Sequence, residues 1–338
     1  MTDASPPGHD LAQLKAARPD EVALGAPLAT ICRWRIGGPA DAIVTPRSPE
    51  ALAETIAFLK ARGLRYVIVG DGSNILYDDA GFRGAVIRIG RAFGGFEDRG
   101  GGRIRAGAGL WVPTFVRRVI DLGLAGAVHA IGIPGTLGGL VVMNGGSQRK
   151  GIGSHVEAVE VLTADGAIAR IEAAALGFAY RRSALQDSGA TVLSIDFRFE
   201  PGDAGALRRE AISILAARRA KFPKVRANCG SVFVSDPALY ASIGPPGMAI
   251  ERVGLMGRSC GDAQISPDHA NFIVNNGRAR SADVLALIAE ARHRVEAATG
   301  IAMEAEVRHL DPYGRLRPAH EVAPPQEKQD DGQRAHFA

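Results

Sequence analysis

Residues 132–146, Gly-Ile-Pro-Gly-Thr-Leu-Gly-Gly-Leu-Val-Val-Met-Asn-Gly-Gly, carry six glycines in fifteen positions. A run of that kind is poorly suited to the interior of a helix or strand. It suits a loop whose main-chain N–H groups approach a ligand without interference from a Cβ. Successive free amides of this sort form anion-binding nests and cradle pyrophosphates. A second run, Gly70-Asp-Gly-Ser-Asn74, follows the apolar stretch Tyr66-Val-Ile-Val69. Two such loops in one chain predict a dinucleotide gripped on both sides of its diphosphate. Neither loop spells Gly-x-Gly-x-x-Gly entering a helix, with an acidic residue about twenty positions on, so a nicotinamide-type Rossmann unit is not expected.

The 338 residues are 46% hydrophobic, enough for a large core divided among two or three domains. Forty Lys and Arg stand against 36 Asp and Glu, a formal charge of +4 with a pI near 9.1. No basic tract is interleaved with aromatics, so nucleic acid is not an expected partner. Cys32, Cys229 and Cys260 are odd in number and widely spaced, which fits a reducing compartment and neither a zinc site nor a disulfide framework. The N-terminus lacks the charged-then-apolar order of a signal peptide, and no apolar run is long enough to span a bilayer. A cytoplasmic, monomeric protein with no metal and no membrane insertion is expected.

Between two polar ends, helical and strand patterns alternate in an α+β arrangement. Residues 1–20 and 317–338 read as disordered. The first block, 21–90, holds a strand at Asp41–Val44, a helix opened by Ser48-Pro49 and running through Ala61, and strands at Tyr66–Val69 and Ala85–Ile89. The second, 91–202, holds a strand at Ile104–Ala106, a helix at Val112–Leu122, the long glycine loop, a hairpin of Val156–Leu162 with Ile168–Ile171, and a strand at Val192–Phe199. Glu200-Pro-Gly-Asp203 reads as a linker. The third, 203–316, begins with the basic helix Ala204–Lys221. It continues with a strand at Asn271–Val274, a helix capped by Ser281 and running to about Thr299, and a last strand at Glu304–Leu310.

Four further segments stand out. The Arg35-Ile-Gly-Gly-Pro-Ala40 turn offers Arg35, Gly37 and Gly38 as another wall of the cofactor site. Phe178-Ala-Tyr-Arg-Arg-Ser183 sets an aromatic beside two guanidinium groups. Asn228-Cys-Gly-Ser231 places a hydroxyl after a flexible turn. On a strand, Glu304, Glu306 and Arg308 would share one face, because side chains alternate at period two.

Together and in this order, these segments resemble the UDP-N-acetylenolpyruvoylglucosamine reductases, also called UDP-N-acetylmuramate dehydrogenases. The resemblance spans about Thr30 to Leu310 and includes Gly230-Ser-Val-Phe233 and His269-Ala-Asn-Phe-Ile-Val-Asn275. It implies two N-terminal subdomains holding non-covalent FAD, as in vanillyl-alcohol-oxidase-like (PCMH-like) flavoproteins, and a C-terminal α/β substrate domain. It also implies that NADPH delivers hydride to the flavin and that UDP-N-acetylglucosamine enolpyruvate is then reduced to UDP-N-acetylmuramate, a peptidoglycan precursor. By this resemblance Arg181, Ser231 and Glu306 are the catalytic residues. Arg181 would stabilise an enolate through its fork of donors. Ser231 would give a proton to C2, and Glu306 would act protonated or orient another group. Tyr180, Lys221 and Arg308 would hold substrate, with Arg308 organising Glu306. The cofactor would lie against Arg35, Gly37, Gly38, Gly70, Asp71, Gly72, Ser73, Asn74, Gly132, Ile133, Pro134, Gly135, Thr136, Gly138, Gly139, Asn144 and Gly145.

Two stretches depart from the pattern. Gly145-Gly-Ser-Gln-Arg-Lys-Gly-Ile-Gly153 is more basic and polar than the family's usual run, and Val234-Ser-Asp-Pro237 lacks the usual cation. Arg149 and Lys150 are candidates to replace that charge. The long insertion found in one branch of the family is absent, which places the resemblance with the shorter branch. The alternative reading is a paralogous flavoenzyme, oxidase or reductase, acting on another nucleotide sugar or an alcohol.

Overall fold

The computed structural model describes residues 7–324. Helix α1 (Pro7–Ala17) buries Leu11 and Leu14, three positions apart on one face. That corrects the expectation of a disordered start over these residues, because two leucines at helical spacing suffice to dock the segment; residues 1–6 lie outside the described chain. Strand β1 (Val22–Leu24) runs antiparallel to β2 (Ala40–Val44), with Val22 opposite Val44. Helix α2 (Pro49–Ala61) starts where the Ser48 hydroxyl accepts from Ala51 N at 3.1 Å and Pro49 supplies a ready-made helical φ. Its face of Ala51, Leu52, Thr55, Ile56 and Leu59 is buried. Strand β3 (Tyr66–Val69) leads through the first glycine loop into β4 (Ile75–Tyr77), then β5 (Phe82–Arg88). The sheet order is β1-β2-β5-β3, parallel except at β1.

A five-stranded antiparallel sheet forms the second layer. It uses β6 (Phe96–Asp98), β7 (Arg103–Gly107), β9 (Val156–Leu162), β10 (Ile168–Glu172) and β11 (Thr191–Arg198) in the order β10-β9-β11-β7-β6. Helix α3 (Val112–Asp121) buries Val112, Phe115, Val116, Val119 and Ile120, the face expected from its period. Strand β8 (Leu124–Ala125) pairs with β12 (Glu200–Pro201), so the expected linker is a short antiparallel ladder. The second glycine loop enters the six-residue helix α4 (Leu137–Val142).

The C-terminal portion opens with α5 (Ala204–Lys221), capped by Asp203. It continues through α6 (Pro237–Ser242), α7 (Pro246–Arg252), β13 (Ser259–Cys260), β14 (Ala263–Ile265), β15 (Ile273–Asn275), α8 (Ser281–Thr299), β16 (Arg308–Leu310) and β17 (Leu316–Pro318). The tail expected to lack order from residue 317 is instead tied down as far as it is described. It forms the end of β17, buries Ala319, and gives His320 Nδ1 as acceptor to Ala305 N at 2.9 Å. Residues 325–338 lie outside the described chain.

One feature of the topology governs the site. Strand β4, at the end of the first glycine loop, pairs in parallel with β16, with Arg308 opposite Ile75, while β17 flanks β16 on the other side. The expected strand from Glu304 is regular only over Arg308–Leu310, because residues 304–308 change partners midway. Glu304 O accepts from Val234 N at 3.0 Å, Glu306 N donates to Val232 O at 2.8 Å, and Arg308 N donates to Asn74 O at 3.1 Å.

The apolar core follows this crossing. One buried cluster gathers Leu52, Phe115, Phe197 and Phe199 from the first two layers. The other joins Leu28, Trp34, Tyr77 and Phe82 to Phe233, Ile273, Ile288 and Val307. Trp34 is fully buried; its Nε1 donates to Ile273 O at 2.6 Å, and Asn275 Nδ2 donates back to Trp34 O at 2.9 Å. No helix among the described residues is long and apolar enough to cross a membrane.

The N-terminus of α8 is satisfied from the far end of the sequence. Asp79 accepts from Ser281 N at 2.8 Å and Ala282 N at 3.3 Å, and the Ser281 hydroxyl accepts from Asp79 N at 3.1 Å. The cap expected from Ser281 alone is therefore a reciprocal arrangement with a loop two hundred residues away. Removing such a cap costs about 1 kcal/mol. Asp79→Ala should lower the unfolding free energy by that amount, seen by circular dichroism as a lower urea midpoint with an unchanged m-value.

Candidate active site

The two glycine loops meet. A Cβ on Gly70 would lie 2.2 Å from Thr136 Oγ1, and one on Gly135, whose φ is +132°, would lie 2.8 Å from Ser73 Oγ. These glycines are therefore required by the contact between loops as well as by any ligand. Beside them opens a cavity of about 1300 Å³. Its walls include Gly70–Asn74, Ile133–Thr136, Gly138, Gly139, Asn144 and Gly145. Tyr180, Arg181, Ser231, Glu306 and Arg308 line it as well. The main-chain N–H groups of residues 70–74 donate no hydrogen bond among the described residues, and neither do those of Gly135, Thr136 and Gly139. That is the donor set an anion nest requires.

Arg181 sits at the tip of a tight turn closed by paired hydrogen bonds between Ala179 and Arg182, both 3.0 Å. Its φ of +56° is a left-handed conformation that costs a non-glycine residue about 1 kcal/mol or more. Neighbours hold it there: Asn144 Nδ2 donates to Ala179 O at 2.8 Å and Gln186 Nε2 to Arg181 O at 2.9 Å. From this position Arg181 Nε lies 2.9 Å from Glu306 Oε1, and Nη2 donates to Gly146 O at 3.3 Å. The Nε–H is not aimed at the carboxylate, so the pair is held by charge rather than by a well-formed hydrogen bond. Burial pushes the Glu306 carboxyl above the usual carboxylate range, and the adjacent guanidinium opposes that rise.

Ser231 is placed by main-chain and amide contacts around it. Asn271 clamps Phe233, two positions after Ser231, accepting from its N at 2.9 Å and donating to its O at 3.0 Å. Val232 O then receives Glu306 N, which sets Ser231 and Glu306 on adjacent main chains. Asn74 completes the junction by donating its Nδ2 to Glu306 O at 3.1 Å.

Several expected site residues stand elsewhere. Arg35, Gly37 and Gly38 do not line the cavity. Gly37 and Gly38 are needed because a Cβ would meet Tyr77 Cβ at 2.7 Å and Asp79 O at 2.2 Å, so this turn is a packing joint against β4 and the loop that follows it. Gly132 also lies off the cavity, its Cα facing Arg218, whose Nε would be 2.4 Å from a Cβ there. Lys221 is exposed at the last position of α5 and does not line the cavity. The cavity instead takes Arg218, one turn earlier, and Phe222, where the chain becomes extended; the guanidinium lies 4.3 Å from the Phe222 ring centroid. Arg308 does not organise Glu306, since its Nη2 donates to Leu316 O at 2.8 Å. Glu304 is exposed and off the cavity, although the segment keeps period-two exposure, with Ala305 and Val307 buried between Glu304, Glu306 and Arg308. Sequence reasoning missed Arg218, Phe222, Gln186 and Tyr240; for Arg218 the available signal was its place one helical turn inside the chosen lysine.

A family model described as FAD binding domain matches residues 40–172, and one described as UDP-N-acetylenolpyruvoylglucosamine reductase, C-terminal domain, matches residues 222–310. UDP-N-acetylenolpyruvoylglucosamine reductase 1 of Corynebacterium glutamicum is 51% identical over 296 residues, 88% of each chain. The chain belongs to the UDP-N-acetylenolpyruvoylglucosamine reductase family. The family member of Heliobacterium modesticaldum is 40% identical over 290 residues, covering 85% of this chain and 90% of that relative. A crystal structure of the reductase from Thermus caldophilus superposes with a TM-score of 0.71 at 32% identity, over 86% of this chain and 98% of that one.

For a reductase of this family the unpartnered amides of residues 70–74 fit the diphosphate of FAD. The cavity, larger than the roughly 300–1,000 Å³ of a site for one small ligand, leaves space beside it for a second. Gly70→Ala forces the loops apart at Thr136. Strain of about 1–3 kcal/mol in the cradle weakens binding by about tenfold to a hundredfold. The purified variant should therefore hold less flavin than the parent at equal concentration, as read from the ratio of visible to protein absorbance.

Proposed function

We propose that this chain is an FAD-dependent, NADPH-consuming reductase that converts UDP-N-acetylglucosamine enolpyruvate to UDP-N-acetylmuramate, with Arg181, Ser231 and Glu306 as its catalytic residues. The observation that carries the residue assignment is the Arg181–Glu306 pair at 2.9 Å, on the same cavity as Ser231 and both glycine loops. The two glycine loops would hold FAD, which when bound and reduced by NADPH would supply a hydride for C3 of the enolpyruvyl group. Charge then develops at C2 and on the substrate carboxylate. Arg181 is suited to hold it: Glu306 and Gly146 engage Nε and Nη2, while Nη1 has no partner among the described residues. A fixed guanidinium needs no reorganisation as charge develops, which is the condition for strong electrostatic stabilisation. The Ser231 hydroxyl makes no hydrogen bond to the described protein and delivers the proton to C2, completing the lactyl ether. Glu306 acts in its ionised form as the group that orients Arg181. The reading places the enzyme in the cytoplasm as a monomer, in cell-wall precursor synthesis that serves cell shape and division.

Ser231→Ala should keep flavin reduction by NADPH at the wild-type rate. Reoxidation by the enolpyruvyl sugar nucleotide should slow by about 10²–10³, the usual effect of losing one group that acts in the transition state. Stopped-flow absorbance resolves the two halves, and normal reoxidation in this variant would remove Ser231 from the mechanism.

Glu306 also sets a pH dependence. Its folded pKa lies above the ordinary carboxylate value, so the ionised form is lost as pH falls through that raised value. The reoxidation rate should therefore decline on the acid side at a pH above 4.5. Glu306→Gln, which cannot titrate, should be slower throughout and flat across the same interval.

A further inference from the structure

The cavity mouth carries a cationic turn that the catalytic arrangement does not use. Ser147-Gln-Arg-Lys150 is closed by Lys150 N donating to Ser147 O at 3.0 Å. Gln148 and Arg149 take φ of +55° and +61°, the φ pattern of a type I′ turn, whose central positions favour Asn and Gly. Two non-glycine residues in this conformation are costly, and such strain persists where the surroundings and the use of the site demand it. The Ser147 hydroxyl anchors the turn by donating to His129 O.

Arg149 and Lys150 both line the cavity, and neither has a carboxylate partner among the described residues. The other cations on these walls are committed: Arg181 to Glu306, Arg308 to Leu316 O, and Arg218 to a buried place over Phe222. The facing wall, residues 231–241, contains no Lys or Arg, and its one acid, Asp236, is engaged in capping α6 by accepting from Leu239 N at 2.8 Å. The Arg149 guanidinium lies 5.3 Å from the ring centroid of Tyr240 on that wall, and Tyr240 is 53% exposed. Beside it Ser235 N donates to the Tyr180 hydroxyl at 3.4 Å, so the mouth is bridged at two points.

We propose that Arg149, seconded by Lys150, is the residue that binds the diphosphate of the UDP-sugar substrate, with the Tyr240 ring holding the guanidinium in place until the anion arrives. The inference rests on the sugar-nucleotide reading of this cavity. A guanidinium matches phosphate oxygens with paired donors, and an arginine with no counter-ion is free to supply them. The charge that the sequence lacks at 234–236 is thus provided from the opposite wall.

The test uses the flavin-loaded, full-length protein and titration calorimetry with UDP, uridine and 2′,5′-ADP as probes. Arg149→Asn removes the charge and keeps a residue that tolerates left-handed φ; Arg149→Lys keeps the charge and loses the fork. Arg149→Asn should bind UDP about tenfold to a hundredfold more weakly, the usual loss for one charge-assisted contact, while uridine binding is unchanged. Arg149→Lys should fall between the two. The dissociation constant for UDP should rise with salt in the parent and less steeply in Arg149→Asn. Unchanged UDP binding in Arg149→Asn overturns the assignment, as does an equal loss for uridine. A loss confined to 2′,5′-ADP also overturns it, by moving the contact to the pyridine nucleotide. Failure of the parent protein itself to bind UDP would instead refute the substrate reading on which the inference stands.

Discussion

Asn74 is the point on which the architecture turns. Its carbonyl accepts from Arg308 N, its side chain donates to Glu306 O, and the next three residues pair with the strand that follows Glu306. Each such hydrogen bond contributes only about 1 kcal/mol net. Their importance here is geometric, because the first glycine loop and the segment carrying Glu306 are joined by one main-chain ladder. Neither can shift without moving the other. The buried exchange between Trp34 and residues 273–275 secures the same junction from below.

The site combines rigid placement with deliberate irregularity. Segment 304–308 changes hydrogen-bonding partner within five residues, and the turn at 179–182 holds an arginine in a left-handed conformation. The first ties three main chains together at one point, and the second brings the Arg181 side chain to Glu306. Burial of Glu306 then raises the energetic cost of its charge, and the arginine opposite offsets that cost. The pair is consequently sensitive to anything that separates its members.

Much of this was legible in the amino-acid order. The helix at 49–61 follows from its Ser48 cap and apolar face, the helix at 112–121 from its apolar face, and the hairpin at 156–172 from alternation around a turn. The glycine loops and the trio Arg181, Ser231 and Glu306 were recognisable as motifs, and the cavity unites them. What escaped were the features set by distant contacts. The glycines at 37 and 38 look like ligand contacts from sequence, and only the approach of Tyr77 and Asp79 reveals them as a packing joint. Lys221 is offered by the family resemblance, but α5 ends there and the cavity takes Arg218, one turn earlier, a placement that depends on where the helix stops. The strand assumed for Glu304–Leu310 failed because a change of partner leaves no trace in a period-two pattern.

The pairing of β4 with β16 has a consequence for biosynthesis. The contact between Asn74 and Glu306 spans 232 positions, so the ribosome must release the chain through Glu306 before the first glycine loop can be joined to that segment. Long-range parallel pairing of this kind forms late and slowly. The nascent N-terminal half therefore leaves the exit tunnel with an open strand edge and an unfinished cradle, and the cofactor meets a completed pocket only after translation of the C-terminal strand.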